Sequence, residues 1–212
     1  MPTNNETTKV WLQNALLQLG AESYLHGIDY SVKDDVISRL KFGFNDPTHS
    51  YILGIAGTDS NTPKLPAYNR MIEQQARNLL DGYEIIDQHA NDATGFSATL
   101  YRKTGTNEYI LSARSTEFRK WAQAGDGQRD QDGANAKGLV GEGFALAQLA
   151  SMQDYYAHLK AGDKWVVDSV TKTGSWIHET AGKFADFASH MSGGGKIDVT
   201  GYSLAACRTF QS

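Results

Sequence analysis

Residues 196–205 read KIDVTGYSLA, a short run of strand-forming residues that leads directly to Ser203. Isoleucine and valine within residues 196–200 favour a β-strand there. Gly201 and Ala205 stand two positions before and two positions after the serine. A sharp strand-to-helix turn requires small residues at those two positions, because neighbouring backbone comes close to them. The stretch therefore predicts a strand that ends at an exposed serine hydroxyl, with a helix beginning just after it.

The middle of the chain predicts the partner of this strand. An alternating pattern over residues 96–102 and a second strand pattern over 108–113 flank the turn-prone Gly-Thr-Asn at 105–107, which is typical of a β-hairpin. The spacing of apolar residues over 143–160 predicts a long helix. The segment between the hairpin and residue 196 is long enough for a crossover, so we expect the last strand to pair in parallel with residues 108–113.

The first part of the chain is mostly helical in its spacing. Residues 8–25 predict an amphipathic helix interrupted near Gly20, and residues 34–40 predict a short helix. Residues 68–80 predict a third helix, which stops where Gly82 is expected to take the left-handed cap conformation.

Two further segments carry weaker patterns. Prolines and glycines over residues 42–66 predict loops or short extended pieces. Residues 163–191 predict a helix with a break at Gly174 and an end at the glycines 193–195, which puts His178 on a helix surface.

The order hairpin, helix, strand predicts an α/β fold in which helices flank the sheet. We expect a helical and loop-containing N-terminal region over residues 1–90, packed on a core domain over residues 91–212.

Composition excludes several classes of protein. The formal net charge is −4 and the lysines and arginines form no run, so no nucleic-acid partner is expected. Cys207 is the single cysteine, which excludes a disulfide within the chain. Residues 1–20 are too polar for a signal peptide or a membrane span. We therefore expect either a cytoplasmic protein or one that is exported without such a signal.

Residues 109–117 carry a second motif, YILSARSTE. It resembles the strand and turn that precede the oxyanion hole in class-3 (fungal-type) lipases and in related bacterial lipases and phospholipases, where the turn commonly reads Phe-Arg-Gly-Thr-Glu. Further along, residues 200–204 (TGYSL) are similar to the Gly-His-Ser-Leu-Gly-Gly of that family. The resemblance covers residues 95–205 and implies part of an α/β-hydrolase sheet.

The resemblance also implies roles for individual residues. Ser203 would be the nucleophile, and Thr116 together with the backbone N–H of Leu204 would bind the oxyanion. The substrates would be carboxylic esters of lipids, cleaved through an acyl-enzyme, with no metal and no cofactor. Ser115 stands where the family has a glycine.

The residues after Ser203 depart from the family pattern. In this fold the acid and the histidine follow the serine, but residues 204–212 contain no Asp, Glu or His. We therefore expect an incomplete triad with weak or no activity, whether through an artificial boundary, a shifted reading frame or a natural truncation. An uncovered sheet edge would then favour self-association. The alternative is a non-catalytic module that binds a lipid or a protein.

Two groups of side chains receive structural interpretations. Arg114 is expected to pair with a buried carboxylate. Five aromatic residues are expected to be core residues rather than the lining of an acyl pocket: Trp121, Tyr155, Tyr156, Trp165 and Trp176.

Overall fold

A computed structural model of the protein describes residues 4–23, 25, 27–44, 52–53, 71–90, 92, 94, 96–114, 146–167 and 174–201. The helices are α1 (Asn4–Ala21), α2 (Lys33–Phe42), α3 (Glu73–Gly82), α4 (Leu146–Ala161) and α5 (Gly182–Ser192). The strands are β1 (Gly43–Phe44), β2 (Ile52–Leu53), β3 (Tyr83–His89), β4 (Ala98–Lys103), β5 (Tyr109–Ala113), β6 (Asp163–Val167), β7 (Gly174–His178) and β8 (Ile197–Thr200).

The central sheet has four strands in the order β3-β4-β5-β8. Strand β4 pairs antiparallel with both β3 and β5, whereas β5 and β8 are parallel. The predicted hairpin over residues 96–113 is therefore confirmed, and so is the parallel pairing of the last strand with it. In the described part of the sheet β8 lies at an edge, and the expected self-association there stays a prediction.

Helices cover both faces of this sheet. Leu100 and Tyr101 are neighbours on β4 but point to opposite faces, and each belongs to a different core cluster. On the Leu100 side, α4 and α5 contribute Tyr155, Leu159 and Phe187. Helices α1 to α3 cover the Tyr101 side. A sheet that buries apolar side chains on both faces is typical of α/β proteins, as the sequence predicts, and the N-terminal part is helical.

Strand β3 has no counterpart among the predicted elements. Its register with β4 shifts between Ile85 and Asp87. This irregularity breaks the alternation on which strand prediction depends, because Ile86 belongs to the Leu100 cluster and the next residue, Asp87, pairs with Leu100 itself. The strand lies within the predicted N-terminal region over residues 1–90, yet it belongs to the same sheet as residues 98–113.

The prediction of a helix over residues 163–191 is wrong for the first half of that segment. Strands β6 and β7 form an antiparallel hairpin in which Trp165 pairs with Trp176. Aromatic and β-branched residues favour this pairing over a helix. Gly174 is a strand residue, and the ring of Trp165 lies so close to it that a Cβ would overlap the ring. His178 ends β7 and does not lie on a helix. Only α5 retains the predicted helix, and it ends before the glycines at 193–195.

The helix ends differ from the predictions in two details. Helix α1 continues through Gly20, where a Cβ would lie 2.6 Å from Tyr101 Oη, so the glycine allows the helix to approach the sheet. Gly82 does not take the left-handed conformation, and the prediction of a glycine cap is wrong. Tyr83 caps α3 instead with extended backbone and donates its N–H to the carbonyl of Leu79, because β3 begins there at once.

The remaining predicted elements agree with the structure where it describes them. Helix α2 matches the prediction over residues 34–40, and α4 matches the long helix from residue 146 onward. Strands β1 and β2 are short extended pieces, as expected for residues 42–66, most of which lie outside the described residues.

Candidate functional site

The carboxyl ends of β5 and β8 lie side by side at one edge of the sheet, which we call the β5–β8 edge. Their parallel register pairs Ser112 with Thr200, and neighbouring strands are about 4.8 Å apart. The two segments that carry the sequence motifs therefore leave the sheet from adjacent positions, at Arg114 and Gly201. Ser203, Leu204 and Thr116 themselves lie outside the described residues, as does Ser115.

A glutamine from α1 joins the two strands just before they end. Gln18 is buried, and its side-chain N–H donates to Ser112 Oγ at 2.8 Å. The same group lies 3.5 Å from Thr200 Oγ1. Helix α1 thus contacts, through one side chain, both strands whose ends are predicted to build the catalytic centre.

Arg114 is buried where β5 leaves the sheet, with 2% of its surface exposed. Its backbone N–H donates to the carbonyl of Ser97 at 2.9 Å, which fixes the exit of the chain against β4. Its pairing with a buried carboxylate stays a prediction.

The end of β3 lies at the same edge of the sheet. His89 pairs with Ala98, and Ala98 pairs with Ala113. These residues form one row across three strands, so His89 is about 10 Å along the edge from the end of β5.

A cavity of about 310 Å³ opens beside His89. It lies between the end of β3, helix α4 and the β6–β7 hairpin. Its aromatic lining consists of Tyr155, Trp165 and Trp176, and the carboxylates on it belong to Asp92 and Asp154. We call this the aromatic cavity. Tyr155 is a core residue as predicted, but both tryptophans are half-buried at the cavity wall. Tyr156 is half-buried against the core, and Trp121 lies outside the described residues.

The imidazole of His89 is buried among these rings. It stacks on Tyr155 with ring centroids 4.7 Å apart, and it is parallel to Trp176 at 6.1 Å. Its Nε2 lies 3.8 Å from Asp92 Oδ2. Its Nδ1 is buried with no hydrogen-bond partner among the described residues. Leaving such a group unsatisfied costs about 1–3 kcal/mol.

Asp92 is held in an ionised state by its surroundings. Its Oδ1 accepts hydrogen bonds from the backbone N–H and the hydroxyl of Thr94, at 2.8 Å and 2.6 Å, and from the N–H of Phe96 at 3.1 Å. Burial alone would raise the pKa of Asp92. The nearby imidazole of His89 and the hydrogen bonds from Thr94 and other donors outweigh burial and lower the pKa to about 2.

The hairpin wall of the cavity is attached to α4 through His158, and His178 links its two strands. His158 stacks on Trp176 with centroids 3.9 Å apart. His158 and His178 each donate from Nδ1 to the carboxylate of Asp163, at 3.1 Å and 3.0 Å. These hydrogen bonds lower the pKa of Asp163, and the one from His158 has the larger effect. The ring of Trp176 is therefore fixed in orientation.

A buried pair anchors the floor of the cavity to the sheet. The hydroxyl of Tyr155 donates to Asp87 Oδ2 at 2.8 Å. Burial raises the pKa of Asp87 and raises that of Tyr155 as well. The tyrosine therefore stays protonated as the donor, and α4 is fixed against β3.

Sequence reasoning missed the aromatic cavity as a site. His89 and Asp92 lie in a part of the chain for which no element was predicted, and Trp165 and Trp176 were assigned to a helix. The hairpin pattern of Trp165-Val166-Val167 and Trp176-Ile177 was the one signal that could have indicated the cavity wall.

Two other kinds of site have no counterpart among the described residues. No three or more His, Cys, Asp or Glu side chains among them are grouped to hold a metal ion. None of the described helices is both long and apolar enough to cross a membrane.

The chain was compared with protein-family models, with curated proteins and with solved structures, and no match is found in any of the three. The resemblance of residues 95–205 to class-3 lipases therefore stays a prediction, based on the quoted motifs and their order.

Proposed function

We propose that this chain carries a serine ester-hydrolase scaffold of the lipase or phospholipase type, with Ser203 as its nucleophile. The parallel register of β5 and β8 is the observation that supports the proposal. An oxyanion hole requires donors about 3 Å from the reacting oxygen. The first condition for this geometry is that the segments after Arg114 and Gly201 start from neighbouring strand ends, and the register of β5 and β8 supports this.

The proposed chemistry is acyl transfer. Ser203 Oγ attacks the ester carbonyl, and Thr116 together with the backbone N–H of Leu204 stabilises the negative charge that forms on the carbonyl oxygen. The C–O bond to the alcohol then breaks, and the alcohol leaves with the proton that the serine hydroxyl gave up. Water cleaves the acyl-serine, which releases the acid and restores the hydroxyl. The serine hydroxyl is a weak nucleophile at neutral pH without a base. The expected rate is therefore low, and labelling by a reactive phosphonate is a more sensitive test than turnover.

A second candidate function is a non-catalytic module that binds a lipid or a protein. The aromatic cavity favours it, because rings and carboxylates of the described residues line a concave site there. The two candidates differ in whether the hydroxyl of Ser203 reacts.

The deciding experiment is labelling of the full chain with a fluorescent fluorophosphonate, together with hydrolysis of p-nitrophenyl butyrate and palmitate. Ser203→Ala is compared with Ser189→Ala, which removes an exposed hydroxyl from α5. We expect labelling of the wild type and of Ser189→Ala, and its loss in Ser203→Ala. Equal labelling of all three proteins contradicts the proposal. Absence of labelling in a folded wild type favours the binding module.

A further inference from the structure

The aromatic cavity combines two features that natural cation sites share. Three aromatic side chains line it, and the described residues on its wall carry two carboxylates and no lysine or arginine. We infer that the cavity binds a small organic cation, an alkylated ammonium of the choline type. This inference does not rest on the proposed function, because the residues that carry it are other than Ser203, Thr116 and Leu204.

The rings are positioned before any ligand arrives. Trp165 lies over Gly174, where even one extra carbon would displace it. Trp176 is stacked on His158 and meets Trp165 edge to face, with centroids 5.1 Å apart. A rigid aromatic wall attracts a cation through the negative faces of its rings, within about 6 Å of their centroids. Because the rings are already held, binding loses little side-chain entropy.

The electrostatics of the cavity favour a positive ligand. Asp92 has its pKa lowered to about 2, so its carboxylate is charged at neutral pH. Asp154 stands on α4 at the cavity with an exposed side chain. His89 is the one basic side chain among the described lining residues, and it faces Asp92. The cavity therefore presents negative charge next to aromatic surface.

The size of the cavity limits the ligand. About 310 Å³ lies near the lower end of the range for small-molecule sites. A trimethylammonium group with a short arm fits such a volume. Its methyl groups also pack against the apolar surface of the rings. An ammonium without methyl groups is strongly hydrated and packs there less favourably.

The test is a titration of the full chain with choline. Tryptophan fluorescence and calorimetry measure the binding. The matched control ligand is 3,3-dimethylbutan-1-ol, which has the same shape as choline and no charge. We expect choline to bind with a Kd of about 1 mM or tighter and the neutral alcohol to bind at least about tenfold more weakly. The inference is overturned if choline and the neutral alcohol bind equally, or if choline does not bind at a concentration of about 10 mM.

Variants locate the binding at the cavity. Trp176→Leu is expected to weaken choline binding about tenfold, and Trp176→Phe, which keeps an aromatic ring, is expected to weaken it less. Asp154→Asn should weaken it about threefold, whereas Asp81→Asn, an exposed carboxylate on α3, should leave it unchanged. Far-UV circular dichroism verifies that each variant is folded. Unchanged choline binding in folded Trp176→Leu and Trp176→Phe overturns the inference.

One more arm identifies the source of the cation. Sedimentation with phosphatidylcholine vesicles is compared with sedimentation with phosphatidylglycerol vesicles, with and without free choline. Binding to phosphatidylcholine alone, displaced by choline, identifies a lipid headgroup as the ligand. Choline binding without vesicle binding identifies the free cation. Binding to phosphatidylglycerol vesicles in preference contradicts a cation site.

Discussion

The β5–β8 edge and the aromatic cavity both lie where the strands of one sheet end, but different kinds of side chain form them. At the β5–β8 edge, small and hydroxylated residues end two parallel strands, and Gln18 holds them from the α1 face. At the cavity, large rings from α4 and from a two-stranded hairpin stand around His89 on the opposite face. The first arrangement suits a turn that must present backbone N–H groups. The second suits surface recognition of a ligand. Damage to the sheet should impair both, and damage to the hairpin should impair the cavity alone.

The largest expected effect comes from the core that the two regions share. Leu111 is 1% exposed on β5, within the cluster that also contains Tyr155. Leu111→Ala should lower the free energy of unfolding by about 2–5 kcal/mol. Urea denaturation measures this loss, and fluorophosphonate labelling and choline binding should both decline. Loss of one function at unchanged stability would contradict a shared core.

The second effect concerns Asp92 and depends on pH. Its folded pKa of about 2 lies below the ordinary value of 3.8, so the carboxylate stabilises the fold above pH 4 and loses this contribution as the pH falls toward 2. The difference corresponds to about 2 kcal/mol. Asp92→Ala should lower stability by about that amount at pH 7 and should flatten the stability profile between pH 5 and about 2. Urea denaturation across this range tests the sign. A variant as pH-sensitive as the wild type would contradict the role of Asp92.

A third substitution separates the two regions. Gly174→Ala places a Cβ against the ring of Trp165, so the ring must move. The cost in global stability should be on the order of 1 kcal/mol, because the hairpin is half-exposed and can adjust. Choline binding should fall about tenfold while phosphonate labelling persists. Equal loss of both readouts would show that the regions are coupled.

The smallest effect is expected at the hairpin attachment. Asp163→Asn removes the charge that accepts hydrogen bonds from His158 and His178. Because these bonds lower the pKa of Asp163, its contribution is present above pH 3.8 and is lost as the pH falls through the folded value. We expect a small decrease in melting temperature at pH 7 and none near pH 2, by differential scanning fluorimetry. A decrease that persists unchanged at pH 2 would contradict this origin.

The two regions also differ in what the sequence reveals. The β4–β5 hairpin and β8 are readable because each has a local pattern, and the crossover length between them implies parallel pairing. The proposal of Ser203 as nucleophile likewise starts from five neighbouring residues. Such local signals need no knowledge of the tertiary fold.

The aromatic cavity lacks a local signal of this kind. His89 follows a strand whose alternation is broken between Ile85 and Asp87. Tyr155, Trp165 and Trp176 come from other elements, and they meet only when the hairpin packs on α4. The spacing of residues 163–191 fits a helix well enough to conceal the strands, because cross-strand pairing of Trp165 with Trp176 depends on tertiary contact. Local sequence patterns therefore do not predict a site whose residues come from distant segments of the chain.

The contact between Gln18 and Thr200 joins residues 182 positions apart in the chain. During synthesis β5 emerges long before β8, roughly eighty residues earlier, so a ribosome making 5–20 residues per second leaves one side of β5 open for about 4–17 s. An unpaired strand edge attracts other chains for as long as it stays open. Until β8 is made, we expect this open edge of β5 to be a place where the nascent protein can pair with other chains.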